Sequence, residues 1–184
     1  KGEIMFGLNL VVHKGKTIFV ADTSVHEYPT SEEMSEIAMS AARVVRLFGF
    51  DPKVAFVSHS TFGQPVTSRT KHIRKAVDIL REKNVDFEFD GDMQPDVALN
   101  KEYKNLYPFS KIVGNANILI MPGQHSAAIS YKMMKTLGDI KVIGPLLVGL
   151  GLPIEIAPLR TSTSELINLA SIAAYSADKI DYNN

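Results

Sequence analysis

No cysteine occurs in the 184 residues. That excludes disulfides, thiolate zinc sites and a cysteine nucleophile, and it removes any need for an oxidising compartment. An excess of charge is also missing, because Lys and Arg number 20 and Asp and Glu number 20. A footprint on nucleic acid or on an anionic membrane surface shows as a basic excess or stripe, so neither partner is expected. No apolar run approaches the ~18 residues of a membrane span, and the first residues do not read as a signal peptide. A cytoplasmic location is the expectation. The histidines (His13, His26, His59, His72 and His125) are scattered without an i, i+4 pair, so no metal site is expected. The chain opens on Lys1 rather than Met, which points to a piece of something longer. Its length suits one domain, or one and a piece of another.

What is present alternates strands with helices. Met5 to Val12 and Thr17 to Ala21 are β-branched and apolar, and His13-Lys14-Gly15-Lys16 between them suits a hairpin turn. Thr30 and Glu33 fit a capping box, and Met34, Ile37, Ala38, Ala41, Val45 and Phe48 follow at helical spacing up to Gly49. Lys53 to Ser58 reads as a buried strand, and Ile73, Ala76, Val77 and Leu80 mark the next helix. Val85 to Phe89 reads as a strand ending in a turn, Asp90 to Gln94, with Pro95 in the first turn of a short helix. Tyr103 to Ser110 reads as loop. Ala116 to Met121 is a continuous apolar strand suited to the middle of a sheet, and Ile129, Met133 and Leu137 are the apolar stripe of a helix closed at Gly138. The class is α/β with a mostly parallel sheet and one antiparallel hairpin.

Lys141 to Asn168 carries the strongest functional signal. Val142 and Ile143 give way to a Gly/Pro loop through Gly144, Pro145, Gly149, Gly151 and Pro153, and Ile154 and Ile156 then lead into Arg160-Thr161-Ser162-Thr163-Ser164. The following helix has Leu166, Ile167, Leu169, Ala170 and Ala173 as its inward face. Strand, polar turn and helix together suit an anion, because the first helical N–H groups lack internal partners and Arg160 adds a fork of donors. Ser162 with Glu165 equally fits a capping box with no ligand. Both readings stand. Two also stand for Asp90, Asp92 and Asp96: a crowded set able to act as a base, or an Asp-Gly turn and a helix first turn. Ser58-His59-Ser60 is not a triad, since adjacent loop residues do not face one another. Gly149-Leu150-Gly151 is not a dinucleotide fingerprint, because Pro153 and a strand follow where a helix is required.

Asp90 to Asn100, Tyr107-Pro108-Phe109-Ser110, Ala116 to Pro122, Tyr131-Lys132 and Ile143 to Leu150 resemble the phosphate acetyl/butyryltransferase family. Ala21-Asp22-Thr23, Pro29-Thr30, Glu36-Ile37-Ala38 and Ser58 to Gly63 are more narrowly similar to the acyltransferase-like C-terminal domain of hybrid NADP-dependent malic enzymes. The resemblance covers essentially the whole chain and implies an isocitrate/isopropylmalate dehydrogenase-like fold in two lobes. Residues 1–140 would form the second lobe, and 141–184 a returning segment that completes a first lobe whose opening part is absent. It implies no cofactor in this segment, with NADP and Mg or Mn belonging to an upstream malic enzyme part.

The partners implied are acetyl-CoA or a related acyl or phosphate ligand, and a second copy dimerising through the second lobe. Active members would use a Ser-Arg pair and an Asp six residues beyond the Arg to move an acetyl group between acetyl phosphate and coenzyme A. An ungapped match on Ile167-Asn168 puts Pro158, Leu159 and Glu165 at those places; a one-residue shift restores Arg160 but leaves Leu159 at the serine. Ala128 also stands where the family usually has Asn. The favoured expectation is therefore a catalytically degenerate module that binds an acyl ligand, regulates and oligomerises. The alternative is an active phosphate acetyltransferase using Arg160, Ser162 and Glu165. A third reading is oligomerisation alone, through the helix at Glu33 to Phe48 or that at Ser126 to Leu137. The expected ligand contacts are Ser58, Ser60, Thr61, Asp90, Gln94, Tyr131, Lys132, Arg160, Thr161 and Ser162.

Overall fold

The computed structural model describes residues 3–179. Its elements are β1 (Phe6–His13), β2 (Lys16–Ala21), α1 (Ser31–Leu47), β3 (Lys53–Val57), α2 (Ser68–Glu82), β4 (Glu88–Met93), α3 (Pro95–Leu99), α4 (Lys101–Lys104), β5 (Ile118–Ile120), α5 (Gln124–Leu137), β6 (Lys141–Val148), β7 (Ile154–Glu155) and α6 (Thr163–Lys179). The strands form one 7-stranded sheet in the order β4-β3-β5-β2-β1-β6-β7. β4, β3, β5 and β2 run parallel, whereas β2-β1, β1-β6 and β6-β7 are antiparallel. The sheet is thus mixed rather than mostly parallel: the antiparallel part extends past the hairpin because β6 returns beside β1.

Side chains alternate across the sheet and are covered on both faces. Val54, Phe56, Ile118 and Ile120 meet Met34, Ile37 and Ala41 of α1, Ile73, Val77 and Leu80 of α2, and Leu169 of α6. Ala55, Val57 and Leu119 point the other way, with Val97 and Ala98 of α3 and Ala127 of α5. A strand buried on both faces needs an unbroken apolar run, which is what Ala116 to Met121 supplied.

Five local expectations are revised. The segment Asp90 to Met93 is strand, not turn, and both aspartates are buried in it. Gly144 and Pro145 lie inside β6 rather than in a loop. The β1-β6 register shifts between Leu8 and Leu10 beside them, and a bulge is where a sheet tolerates a proline without an N–H. Gly144 has φ +123, and a Cβ there would lie 2.8 Å from the Leu8 carbonyl oxygen. Ile129, Met133 and Leu137 of α5 are exposed, and the helix packs through Ala127, Tyr131 and Met134 instead. On α6, Leu169 is buried but Leu166 and Ile167 are not. The region around Tyr103 also begins in the short helix α4 rather than in loop.

The capping box of α1 formed as its spacing required. Thr30 accepts from the Glu33 N–H at 3.1 Å, and Glu33 accepts from the Thr30 N–H at 2.7 Å. Thr30→Ala should lower stability by about 1 kcal/mol in urea denaturation, and Thr30→Ser should restore most of it.

Candidate functional site

The expected ligand contacts separate into two groups. In the first, the loop after β3 is fastened to the end of β4. Ser58 N–H donates to the Met93 carbonyl (2.9 Å) and Phe62 N–H to that of Asp92 (2.7 Å). Gln94 donates from its backbone to Thr61 Oγ1 (3.2 Å) and from Nε2 to the His59 carbonyl (2.8 Å). Ser58, Ser60 and Thr61 are all buried. Ser60 Oγ donates to Asp92 Oδ2, and Arg74 Nε reaches Asp92 Oδ1 at 3.0 Å. Asp90 sits apart from this loop. It accepts from Gly91 N–H (3.0 Å) and Lys111 N–H (2.7 Å), with Arg81 at 3.5 Å. The three aspartates do not crowd one another, and Asp96 lies in the first turn of α3.

In the second group, Arg160, Thr161 and Glu165 line a cavity of about 120 Å³ with Lys135, Pro158, Val142, Ile143, Gly144 and Leu169. The cavity opens beside the first half of β6, which β7 leaves uncovered because it pairs only with Leu146 and Leu147. Ser162 and Glu165 form the capping box: Ser162 N–H donates to Glu165 Oε2 at 2.8 Å, and Glu165 N–H to Ser162 Oγ at 3.3 Å. Lys135 Nζ pairs with the other carboxylate oxygen at 2.8 Å. The Lys135 hydrogen bond, helped by Ser162, holds the Glu165 carboxyl down at about 2. It is therefore ionised across the physiological range. Capping and a cavity lined by Arg160 and Lys135 coexist at this turn.

Tyr131 packs inward with Met134 and Ile140 beneath α5, and Lys132 points outward with its Nζ 6.0 Å from the Tyr131 ring. Neither lines the cavity. Strand order sets the sideways separation of the groups: β3 and β6 are four places apart, or about 19 Å at the usual strand spacing, and the register puts Val142 level with the start of β2 and β3 rather than with the loop after β3. Sequence reasoning missed Lys135 and Arg74. Lys135 meets Glu165 across 30 positions, beyond any local spacing. Arg74 had one visible signal, since α2 carries Arg69, Lys71, Arg74 and Lys75 with no acid before Asp78. Among the described residues no cluster suited to a metal ion occurs, and no helix is long and apolar enough to cross a membrane.

Glu155 of β7 is the other perturbed carboxyl. Its Oε2 is buried without a partner among the described residues, and desolvation pushes the group up to about 7. A folded pKa above the unfolded one means that the native state holds the extra proton between about pH 4.5 and 7, so stability falls as pH rises through that window. Glu155→Gln should remove this slope from urea midpoints measured between pH 5 and 8; an unchanged slope would contradict the assignment.

The model of the family described as phosphate acetyl/butaryl transferase matches residues 1–174. The chain is 48% identical over 176 residues to an NADP-dependent malic enzyme of Rhizobium meliloti, covering 96% of this chain and 23% of that one. It is 32% identical over 164 residues to a phosphate acetyltransferase of Clostridium acetobutylicum, covering 88% of this chain and 49% of the relative. A phosphotransacetylase structure from Streptococcus pyogenes superposes with TM-score 0.89 and 31% identity over 96% of this chain and 55% of that one. The EutD phosphotransacetylase from Staphylococcus aureus gives 0.86 and 27% over 95% and 54%. A 4-hydroxythreonine-4-phosphate dehydrogenase from Klebsiella pneumoniae shares the fold alone, at TM-score 0.59 and 13% identity. The chain thus spans about half the length of the phosphotransacetylases it matches and less than a quarter of the malic enzyme.

These likenesses correct the expectation of a catalytically degenerate regulatory module. Nearly the whole chain superposes on phosphotransacetylases. The expectation had rested on Pro158 and Leu159, which offer no side-chain donors. The fold instead sets Lys135, from a different helix, beside Arg160 and Glu165 in one cavity.

Proposed function

The chain belongs to the phosphate acetyl/butaryl transferase family, and on that premise we propose that it supplies about half of an active acyltransferase unit moving an acetyl group between acetyl phosphate and the thiol of coenzyme A. The observation that carries this reading is the convergence of Arg160, Lys135, Thr161 and Glu165 on one cavity. In the transfer, the thiol sulfur attacks the acyl carbon, the bond to the bridging phosphate oxygen breaks, and inorganic phosphate departs with the new charge. Arg160 offers a planar fork and Lys135 a point charge to that phosphate, donors that matter most where charge develops. Glu165 receives the thiol proton. While Lys135 holds it, Glu165 is a weak base; a phosphate that draws Lys135 away returns the carboxyl toward its ordinary range and so couples substrate binding to base strength.

The remaining half of the cleft belongs to residues outside this chain. In this reading residues 1–140 form one lobe of isocitrate/isopropylmalate dehydrogenase type, and the chain from 141 carries the same sheet on through β6 and β7 toward the other; residues 180–184 of the expected returning segment lie outside the described residues. The exposed Leu152, Ile154, Ile156 and Leu159 support this, since they lie along the returning segment with apolar surface left over. The likeness in fold to a dehydrogenase points the same way.

Acetyl transfer by the full-length protein should fall about 100-fold in kcat/KM on Arg160→Ala, the usual loss when one donor to developing charge is removed. Lys135→Met should both slow transfer and raise the Glu165 titration midpoint. Rates unchanged by either substitution would sink the assignment of this cavity. We also infer a dimer through α5, whose Ile129, Met133 and Leu137 form an exposed stripe at i, i+4 spacing. Met133→Glu should halve the mass seen in sedimentation without lowering helix content; an unchanged mass would place the interface elsewhere.

A further inference from the structure

We propose that Arg74 forms a second phosphate-binding site at the loop after β3, four strands across the sheet from the Arg160 cavity. Three features of the molecule lead there. First, Arg74 is oriented by a sealed partner: its Nε meets Oδ1 of Asp92 at 3.0 Å, and Asp92 is fully buried on β4 with Ser60 Oγ on its other oxygen. A guanidinium fixed through Nε keeps both Nη groups as a planar pair of donors, the fork that matches phosphate oxygens. Among the described residues neither Nη has a hydrogen-bonding partner, and the side chain is 39% exposed.

Second, the loop is shaped around that guanidinium. Gly63 has φ +83, and a Cβ added there would collide with Arg74 Cζ and both Nη atoms. The head group lies against loop backbone that only glycine allows to come so near. Third, the neighbourhood is one-sidedly basic. Arg69, Lys71, Arg74 and Lys75 precede the first acid of α2, Asp78. Lys75 is paired with Glu32 and Arg69 stacks over Tyr28. Lys71 is exposed, one helical turn from Arg74, and has no ion-pair partner among the described residues.

The contrast with Arg81, two helical turns further on, separates an ion pair that is only structural from this one. Arg81 gives Nη1 to Asp78 at 2.7 Å and turns Nη2 toward Asp90 at 3.5 Å, so its fork is occupied. Arg74 uses Nε alone. The ligand is a terminal phosphate. With the acyl phosphate held at the Arg160 cavity, it comes either from the phosphorylated nucleotide end of coenzyme A or from a second, free phosphate.

The choice of ligand rests on the acyltransferase reading, and an equilibrium binding measurement keeps failure of the site apart from failure of transfer. Titration calorimetry on the full-length protein would use inorganic phosphate, acetyl phosphate, coenzyme A and dephospho-coenzyme A against wild type, Arg74→Lys and Arg74→Ala. Removing a charge-assisted pair of hydrogen bonds should weaken the phosphate-bearing ligand about tenfold or more in Arg74→Ala. Arg74→Lys keeps the charge but loses the fork, so it should recover only part of the affinity. It also keeps a cation beside Asp92, and so remains informative if the alanine variant unfolds.

A loss confined to coenzyme A, and absent with dephospho-coenzyme A, assigns the nucleotide phosphate. A loss shared by inorganic phosphate and acetyl phosphate assigns a free-phosphate site apart from the transfer cavity. Affinities for all four ligands unchanged in Arg74→Lys would overturn the proposal, and so would a loss identical for dephospho-coenzyme A and coenzyme A with inorganic phosphate unaffected.

Discussion

A buried carboxylate with its donors in place ties the end of β2 to the start of β1 and of α5. Asp22, at the end of β2, is sealed from solvent, and its oxygens accept from the N–H groups of Gly7 (2.8 Å), Ser24 (2.8 Å), Val25 (3.1 Å) and His26 (2.7 Å), with His26 Nδ1 also at 2.7 Å. An unpaired charge at that depth would be strongly destabilising, so the chain from 22 to 26 must wrap around it. That wrap fixes the entry of β1 through Gly7. It also presents the His26 carbonyl to the Gln124 N–H at 3.0 Å and the Ser24 carbonyl to Gln124 Nε2 at 3.2 Å, which docks the start of α5. Lys135 rides on the last turn of α5, so the cation of the Arg160 cavity is aimed by a carboxylate at the other end of its helix.

The same device recurs on β4. Asp90 and Asp92 are separated by one residue on a strand, and their partners Arg81 and Arg74 are separated by two turns of α2. The pairs lash helix to strand at the sheet edge, adding to the packing of Ile73, Val77 and Leu80 in the core. A buried carboxylate thus sets the position of a basic group at each flank. At one flank Asp92 orients Arg74 directly; at the other the influence of Asp22 passes through a helix to Lys135.

What the sequence disclosed was local. Capping boxes at Thr30 and Ser162, the hairpin turn at Lys14-Gly15 and the central strand at Ile118 depend on residues within a few positions of one another, and their spacing survives folding. What it hid was set by partners far along the chain. Ile129, Met133 and Leu137 have the spacing of a core stripe, but β6 meets α5 through Ala127 and Met134, so the stripe faces outward. Asp90-Gly91 reads as a turn by composition, yet Arg81 from α2 and the Lys111 N–H satisfy its charge and let the strand run on. Pro158 and Leu159 argued against catalysis because the reading took one stretch alone, whereas the cavity takes its cation from α5.

The central claim is that the unit containing this chain transfers acyl groups to and from phosphate. Its most direct test is the reverse reaction: release of free thiol from acetyl-coenzyme A by the full-length protein as inorganic phosphate is raised. The account predicts release that rises with phosphate, saturates, and yields acetyl phosphate in equal amount. Thiol release that is absent at every phosphate concentration, in protein shown to be folded, would contradict it.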